Sequence, residues 1–177
     1  MSASKLTRPI IDVEESYIEA LREFHEEERY LEKDIEIISS DFDTYVELLH
    51  KDKGHPEREF DDWVEEVPQT ILWLIKDNEY FGTLNIRHRL NWHLERYGGH
   101  ITFTIRPSKR GMGFGKKILQ KAIPVANALG LDQALLTAPK DNLAAKRIIE
   151  YCDGVFEDTT SGTDNFKPCD RYWINCN

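Results

Sequence analysis

The residues best suited to chemistry in this sequence form one glycine-rich run, Arg110-Gly111-Met112-Gly113-Phe114-Gly115. An alternating apolar segment, 100–105, precedes the run, and a segment with helical spacing of apolar residues, 116–129, follows it. A strand that leads through glycines into a helix leaves backbone N–H groups unpaired at the positive end of the helix dipole. The run therefore predicts an anion-binding turn.

Two properties of this turn favour a diphosphate over a single carboxylate. Its three glycines permit positive φ angles and let phosphate oxygens approach the backbone where a Cβ would interfere. Four basic residues surround the same turn, namely Lys109, Arg110, Lys116 and Lys117. We expect the turn to bind the pyrophosphate of a nucleotide cofactor.

Other nucleotide-binding patterns match the turn less well. The spacing is GxGxG rather than the GxGxxG of a dinucleotide fold, and no strand ending in an acidic residue follows at the required distance. The phosphate-loop pattern fails because Gly115-Lys116 is followed by Lys117 instead of serine or threonine. The remaining signatures of a protein kinase are absent. A glycine turn with a purely structural role stays open as the alternative.

The turn and its surroundings resemble the acetyl-CoA motif of the GNAT superfamily of N-acetyltransferases. The pattern Arg-x-x-Gly-x-Gly stands at 110–115, after a strand that ends with Ile105-Arg106-Pro107. Gly130-Leu131 before the next strand and Asn142 at the start of the following helix extend the likeness, which covers about 70–157. The segments 87–91, 98–101 and 106–108 are further similar to a poorly characterised branch of predicted acetyltransferases.

The resemblance implies a fold and a cofactor. The fold is mixed α/β, with one central, mostly antiparallel sheet, helices on both faces, and a splayed parallel strand pair at 100–105 and 133–137. The pantetheine arm of acetyl-CoA, the co-substrate, would lie between these two strands and pair with the backbone of Phe103 to Ile105. A backbone N–H of the first strand would stabilise the oxyanion. The implied cofactor-binding residues are Phe103, Thr104, Ile105, Arg110, Gly111, Met112, Gly113, Phe114, Gly115, Lys116 and Asn142.

The catalytic residues are less well marked than the cofactor residues. The family's usual general acid is a tyrosine seven residues after the asparagine, and Ile149 stands there. Tyr151 is two residues further on, about 200° around a helix, so it points elsewhere. For the general base we consider His88 and His100, because imidazole has a pKa of ~6.5. Hydrogen bonds with a purely structural role are the alternative for both histidines.

Apolar periodicity predicts the remaining elements. Strands are expected at 6–7, 70–75, 80–86, 100–105, 133–137, 155–157 and 171–174. Helices are expected at 14–30, from the N-cap Asp43 to a stop at 53–56, as a turn at 90–97, at 116–129, and from Asp141 or Asn142 to Tyr151. The segment 34–40 is expected to be a loop or a short extended piece, 57–66 a helix fragment or flap, and Pro124 a kink.

Length and composition fit one soluble domain, 1–177, with 40% apolar and 31% charged residues. Residues 1–69 hold 21 acidic and 8 basic residues, net −13, against net +4 for 70–177. We expect 1–69 to be an acidic helical front on the acceptor side, 70–157 the acyl-CoA-binding core, and 158–177 a C-terminal loop and strand. An acidic front repels nucleic acid and attracts cationic amines. Solvated faces of amphipathic helices are the alternative explanation of its charge.

These patterns point to an N-acetyltransferase that acts on a primary amine of a small molecule or protein. A non-catalytic acyl-CoA-binding sensor or partner protein is the alternative, and a nucleotide-binding module that uses the same turn is a third. No membrane span, signal peptide or metal site is evident, and three cysteines lack metal-binding spacing. We therefore expect a cytoplasmic protein without metal, membrane or nucleic-acid partners, and a homodimer is compatible with the sequence.

Overall fold

The computed structural model describes residues 3–52 and 66–177, whose strands form two antiparallel sheets. The strands are β1 (Lys5–Thr7), β2 (Gln69–Lys76), β3 (Glu79–Arg87), β4 (Ile101–Ile105), β5 (Gln133–Pro139), β6 (Val155–Thr159) and β7 (Cys169–Asn175). The first sheet has the order β1-β2-β3-β4 and the second the order β5-β7-β6. All seven predicted strands are present.

The helices confirm the mixed α/β class. They are α1 (Glu14–Glu26), α2 (Ile35–Ser40), α3 (Phe42–Leu49), α4 (Leu94–Tyr97), α5 (Phe114–Ala128) and α6 (Leu143–Tyr151). A short 3-10 turn, Pro107–Lys109, connects β4 to the glycine-rich turn. Pro124 lies inside α5 and is exposed, and the helix continues past it. Among the described residues, no helix has the length and apolarity that a membrane span requires.

Three predictions for the front of the chain were wrong. The segment 34–40 is helical, because the Asp34 side chain accepts a hydrogen bond from Ile37 N at 3.0 Å and caps α2. Asp41 rather than Asp43 caps α3. The first helix ends at Glu26 and not near Tyr30. The predicted stop at 53–56 and nearly all of the helix fragment or flap at 57–66 lie outside the described residues.

The strands form two ladders rather than the single sheet that we expected. β4 and β5 adjoin each other, but the only bridge between these parts of the described chain links Gly99 to Leu136, with antiparallel geometry. Beyond this bridge the two strands are not hydrogen-bonded to each other, so they are splayed as predicted, but they form no parallel ladder.

Two separate apolar cores lie on opposite faces of the first sheet. One contains Leu84, Ile86 and Ile101 and packs against α5 and the second sheet. The other packs the aromatic side chains of α1 and α3 against β2 and β3, where the Tyr17 ring stacks on Trp73 with centroids 4.5 Å apart. Helices therefore cover both faces of this sheet, as expected.

His100 lies where β4 and β5 begin to separate. Its backbone N–H donates to Leu135 O at 2.7 Å, and its side-chain Nδ1 accepts from Leu135 N at 3.0 Å. The imidazole thus replaces a backbone carbonyl as the partner of Leu135 at the point of divergence. Burial, together with the nearby charge of Arg87, lowers the pKa of His100 to about 4.

Arg106, directly after β4, is 3% exposed and binds three glutamates. Its Nε donates to Glu23 Oε1 at 2.8 Å, and its Nη2 donates to Glu19 Oε2 at 2.6 Å. Its Nη1 lies 3.3 Å from Glu79 Oε1 at the start of β3. This Arg106 cluster ties α1, the β2–β3 hairpin and the end of β4 together.

The cluster also holds the 3-10 turn that leads to the glycine-rich turn. Glu23 Oε2 accepts from Ser108 N at 2.9 Å, and Lys109 Nζ lies 2.6 Å from Glu79 Oε1. Burial raises the pKa of Glu23, but hydrogen bonds from Arg106 and Ser108 outweigh burial and lower the pKa below its ordinary value. Arg106 and Lys109, which precede the glycine-rich turn, are therefore fixed by α1 and the hairpin.

Replacement of Arg106 by methionine tests this role. We expect Arg106→Met to lower the free energy of unfolding by about 2–4 kcal/mol, because buried packing and several charge-assisted hydrogen bonds are lost. Lys167→Met is the matched control, since Lys167 and its partner Asp141 are 72% and 68% exposed and such pairs contribute ~0–1 kcal/mol. Urea unfolding of both variants measures the free energy of unfolding. Equal decreases in the two variants would contradict the stabilising role of the Arg106 cluster.

The buried neutral His100 predicts a pH dependence of stability. The folded state binds a proton to His100 only near pH 4, whereas the unfolded chain binds it below ~6.5. The contribution of neutral His100 to the free energy of unfolding is therefore fully present above pH ~6.5. It is lost as the pH falls toward 4, by up to about 3 kcal/mol.

His100→Asn should remove this part of the pH dependence, because the amide oxygen can accept from Leu135 N and does not titrate. Denaturant unfolding of the two proteins at several values between about pH 4.5 and pH 7 measures the difference. Parallel pH profiles of the two proteins would show that the His100 proton is not linked to folding.

Candidate active site

The glycine-rich turn has the backbone geometry of an open anion site. Gly111 and Gly113 have φ angles of +72° and +83°, and no atom of residues 3–52 or 66–177 lies within 4 Å of the position that a Cβ would occupy at either residue. Gly113 is the N-cap of α5, where no side chain caps the helix and no acidic residue stands in the first turn. The N-terminal N–H groups of α5 therefore face open space and can bind an anion.

Gly115 has a different role from the other two glycines. A Cβ on Gly115 would lie 2.5 Å from Cδ1 of Ile148 on α6. A side chain at this position would displace the tip of Ile148 between α5 and α6. We had expected all three glycines to make room for phosphate, and this contact gives a packing reason for the third.

Two of the four basic residues around the turn are bound to carboxylates. Lys109 pairs with Glu79, and Arg110 donates from Nη1 and Nη2 to both carboxylate oxygens of Glu27, at 2.7 and 2.9 Å. Arg110 Nε also donates to Ile105 O at 3.1 Å. Arg110 therefore fixes the start of the turn to α1. Glu27 is therefore engaged in an ion pair with the turn.

The other two basic residues stand in the first turn of α5, beside the open N–H groups. Lys116 Nζ lies 3.8 Å from the centroid of the Tyr151 ring, and Lys117 Nζ lies 5.0 Å from that of Phe114. Met112 is 62% exposed at the tip of the turn. The positive charge next to the anion site is thus supplied by α5 itself.

The edge of β4 that faces β5 presents backbone groups that no described strand pairs, although Ile105 O accepts from Arg110 Nε. Arg106 N donates to Phe81 O and Arg87 N donates to His100 O, at the two ends of the β3–β4 ladder. Backbone hydrogen bonds alternate along an antiparallel pair. The N–H and C=O of Phe103 and Ile105 therefore point toward β5.

This alternation separates the three predicted cofactor contacts of β4. Phe103 and Ile105 can pair with an extended ligand between the splayed strands. The backbone of Thr104 points toward β3, so Thr104 can contribute only its side chain. The predicted pairing of a ligand with the Thr104 backbone does not agree with the register of the ladder.

Asn142 is the N-cap of α6, close to the end of β5. Its Oδ1 accepts from Ala145 N at 3.1 Å, which leaves the N–H₂ end of the amide as the group that can donate to a ligand. Sequence reasoning named either Asp141 or Asn142 as the cap, and the structure selects Asn142.

Neither candidate histidine has the geometry of a general base. His88 Nε2 lies 2.8 Å from Thr70 Oγ1, so the ring is turned toward β2, which is separated from β4 by β3. His100 uses Nδ1 to accept from Leu135 N, so its proton must be on Nε2. With a pKa of about 4, the ring has little affinity for a second proton at neutral pH. Both histidines have structural hydrogen bonds instead.

The residue at the family's usual acid position is part of the core. Ile149 is 1% exposed and packs in the same core as α5. Tyr151 is 55% exposed and lies against Lys116. It therefore points away from the direction of Ile149, as its helical spacing predicted. Helix α6 therefore presents no acid at either position.

One polar contact on β4 was not predicted. The hydroxyl of Tyr30, in the loop after α1, lies 2.9 Å from Thr104 Oγ1. The alternation of 100–105 could have shown that Thr102 and Thr104 share one face. Nothing in the sequence marks Tyr30 as their neighbour, since it lies 74 residues away along the chain.

The acidic front contains a cavity of about 770 Å³ at the start of α1, whose lining includes Asp12, Glu15, Glu19, Arg22 and Glu79. No residue of β4, β5 or α5 lines it, so it is separate from the glycine-rich turn. Within 3–52 and 66–177 there is no group of three or more histidine, cysteine or carboxylate side chains that could hold a metal ion.

Comparisons with solved structures show the same fold. The microcin C7 self-immunity acetyltransferase MccE, solved with acetyl-CoA and AMP, matches with a TM-score of 0.66 at 12% identity, over 99% of this chain and 93% of that one. A Salmonella typhimurium acetyltransferase that modifies the N-terminal serine of ribosomal protein L7/L12 matches with a TM-score of 0.64 at 13% identity, over 99% and 96%.

A third structure contains mutant forms of the Vibrio cholerae spermidine/spermine N-acetyltransferase SpeG. It matches with a TM-score of 0.59 at 12% identity, over 98% of this chain and 95% of that one. A search of proteins with curated functions finds no match.

The sequence profile of the Acetyltransferase (GNAT) family matches residues 34–152, which include β4, the glycine-rich turn, α5 and Asn142. This match covers more than half of the chain and agrees with the open edge of β4 and the uncapped start of α5. The chain is an acyltransferase that belongs to the acetyltransferase (GNAT) family.

Proposed function

We propose that this protein transfers an acetyl group from acetyl-CoA to a primary amine of a small molecule or a protein. The proposal rests on two open backbone surfaces that follow one another along the chain. The free edge of β4 leads directly into the turn in which Gly111 and Gly113 expose the first N–H groups of α5. One extended ligand with a diphosphate at one end fits both surfaces.

The cofactor contacts follow from this arrangement. The backbone at 111–115 and the side chain of Lys116 bind the pyrophosphate. The C=O of Phe103 and the N–H of Ile105 pair with the amides of the pantetheine arm, and the Asn142 amide donates to the cofactor from the other side of the cleft. Arg110 contributes through its backbone, because its guanidinium is bound to Glu27.

The chain's own groups then promote the reaction by position and hydrogen bonding. The N–H of Phe103 points into the cleft and stabilises the oxyanion that forms when an amine attacks the thioester carbonyl. The amine loses its proton to solvent, since His88 and His100 are engaged elsewhere. The thiolate is a tolerable leaving group, because an alkyl thiol has a pKa of ~8.5.

The acceptor class is supported by charge and by the structural relatives. The acidic front has a net charge of −13 and attracts cationic amines. Among the relatives, SpeG is named for spermidine and spermine, and the Salmonella enzyme modifies the N-terminal serine of a protein. A polyamine and a protein N-terminus are therefore the first acceptors to test. A cytoplasmic location and a homodimer remain predictions.

A non-catalytic acyl-CoA sensor is the second candidate function, and the burial of Ile149 at the usual acid position is the observation that favours it. Such a sensor would bind acetyl-CoA tightly and release no CoA in the presence of any amine.

Gly113→Val tests the phosphate site. A β-branched side chain is strained at a φ of +83°, and its atoms would occupy the space that phosphate oxygens need. We expect the affinity for CoA, measured by titration calorimetry, to fall by at least about tenfold, or ~1.4 kcal/mol.

Gly130→Val is the matched control for strain. Gly130 has a φ of +92°, has open space around its Cβ position and lies at the other end of α5. Both variants should lose about 1–2 kcal/mol of stability, but only Gly113→Val should lose CoA affinity. Normal CoA affinity in folded Gly113→Val would exclude this turn as the phosphate site.

The reaction itself is tested by CoA release from acetyl-CoA with a panel of amines. The panel contains polyamines, amino acids, aminoglycosides, lysine peptides and peptides with a free N-terminal serine. We expect at least one class to raise CoA release above the hydrolysis background, with the acetylated amine identified by mass spectrometry. Tight acetyl-CoA binding without release for any class would favour the sensor.

A further inference from the structure

Transfer of the acetyl group leaves a thiolate that helix α6 cannot protonate. Ile149 is buried in the core, and Tyr151 is exposed beside Lys116. The thiolate can leave unprotonated, but a proton donor from another element that borders the free edge of β4 would make it a better leaving group.

Tyr30 is a tyrosine in the required place. Its hydroxyl lies 2.9 Å from Thr104 Oγ1, between the two β4 residues whose backbone faces the cleft. The sulfur and the oxyanion are bonded to the same carbon, and neighbouring residues of a strand are about 3.3 Å apart. The Tyr30 hydroxyl thus lies beside the side chain of the residue that follows Phe103, whose N–H we assign to the oxyanion.

The backbone that presents Tyr30 is strained and tightly held. Tyr30 and Glu28 both have a φ of 57°, an arrangement that costs roughly 1–2 kcal/mol for each residue other than glycine. The surroundings fix this conformation. His25 Nε2 lies 2.9 Å from Tyr30 O, and the ring of Tyr30 meets Phe24 edge-on with centroids 5.1 Å apart. Strain that is held in this way is characteristic of functional positions.

We propose that Tyr30 is a catalytic residue that donates its phenolic proton to the leaving sulfur of CoA, an inference that rests on the acetyltransferase function proposed above. The amine nitrogen forms the new C–N bond, and the C–S bond breaks with its electron pair on sulfur. Sulfur takes the proton of Tyr30, and the phenolate regains one from the nitrogen, directly or through solvent. The products are the N-acetyl amine and CoA thiol, so atoms and charge balance.

The first experiment needs no acceptor. CoA is bound to the wild-type protein and to Tyr30→Phe, and the pKa of the bound thiol is measured from the ultraviolet absorbance of the thiolate. A tyrosine that donates to sulfur stabilises the thiolate, so we expect Tyr30→Phe to raise this pKa by about one. Calorimetry in parallel should show that both proteins bind CoA equally.

The second experiment uses the best amine from the panel. We expect Tyr30→Phe to lower kcat about 100-fold, the usual size of a general-acid contribution, with KM for acetyl-CoA unchanged. Tyr151→Phe is the matched control, since it removes the hydroxyl of an exposed tyrosine on α6 and should leave kcat unchanged. Melting temperatures of both variants exclude a loss of folding.

The outcomes separate this inference from the function on which it rests. If CoA binds and its thiol has the same pKa in both proteins, Tyr30 does not touch the sulfur and the inference is overturned. A raised KM for the amine with an unchanged thiol pKa would likewise overturn it, because Tyr30 would then only position the acceptor. Failure of the wild-type protein to bind CoA would overturn the proposed function itself.

Discussion

The position of the active site depends on the burial of one cation. Arg106 is 3% exposed directly after β4, and a buried guanidinium requires partners for its charge and its donors. Glu19 and Glu23 of α1 and Glu79 of the hairpin supply them. Because α1 is thereby fixed against the end of β4, the 3-10 turn and the glycine-rich turn that follow can begin in only one place. The geometry of the anion site thus depends on an ion cluster that lies outside that site.

This cluster changes the meaning of the acidic front. Glu19, Glu23 and Glu27 are spaced four residues apart, so they form one stripe along α1 and its C-cap, Glu27. The first two bind Arg106, and the third binds Arg110. Part of the negative charge of the acidic front is therefore paired with Arg106 and Arg110. This part is less available to attract cationic amines. Asp12, Glu14 and Glu15 at the start of α1 belong to the remainder that faces solvent.

Sequence reasoning succeeded where the signal was local. The glycine spacing, the periodicity of α5 and the alternation of β4 each lie within a few residues, and the structure confirms all three elements. The failures were non-local or rested on one side chain. Helix α2 depends on the cap at Asp34, and the Arg106 cluster joins α1 to residues more than 80 positions away. His100 was considered as a base from its imidazole pKa, and its hydrogen bond to Leu135, 35 positions away, was not visible in the sequence. Such contacts exist only after the chain has folded.

The two apolar cores on opposite faces of the first sheet have an evolutionary consequence. Residues such as Tyr17 and Phe42 pack in the core under α1 and α3, whereas Ile118 and Leu136 pack in the core under α5. Substitutions in separate cores affect stability almost independently. The layer formed by α1 and α3 can therefore diversify by mutation while the packing beneath the glycine-rich turn is preserved. With the acceptor on the α1 side, as we propose, acceptor specificity can change in such a lineage while the acyl-donor site is kept.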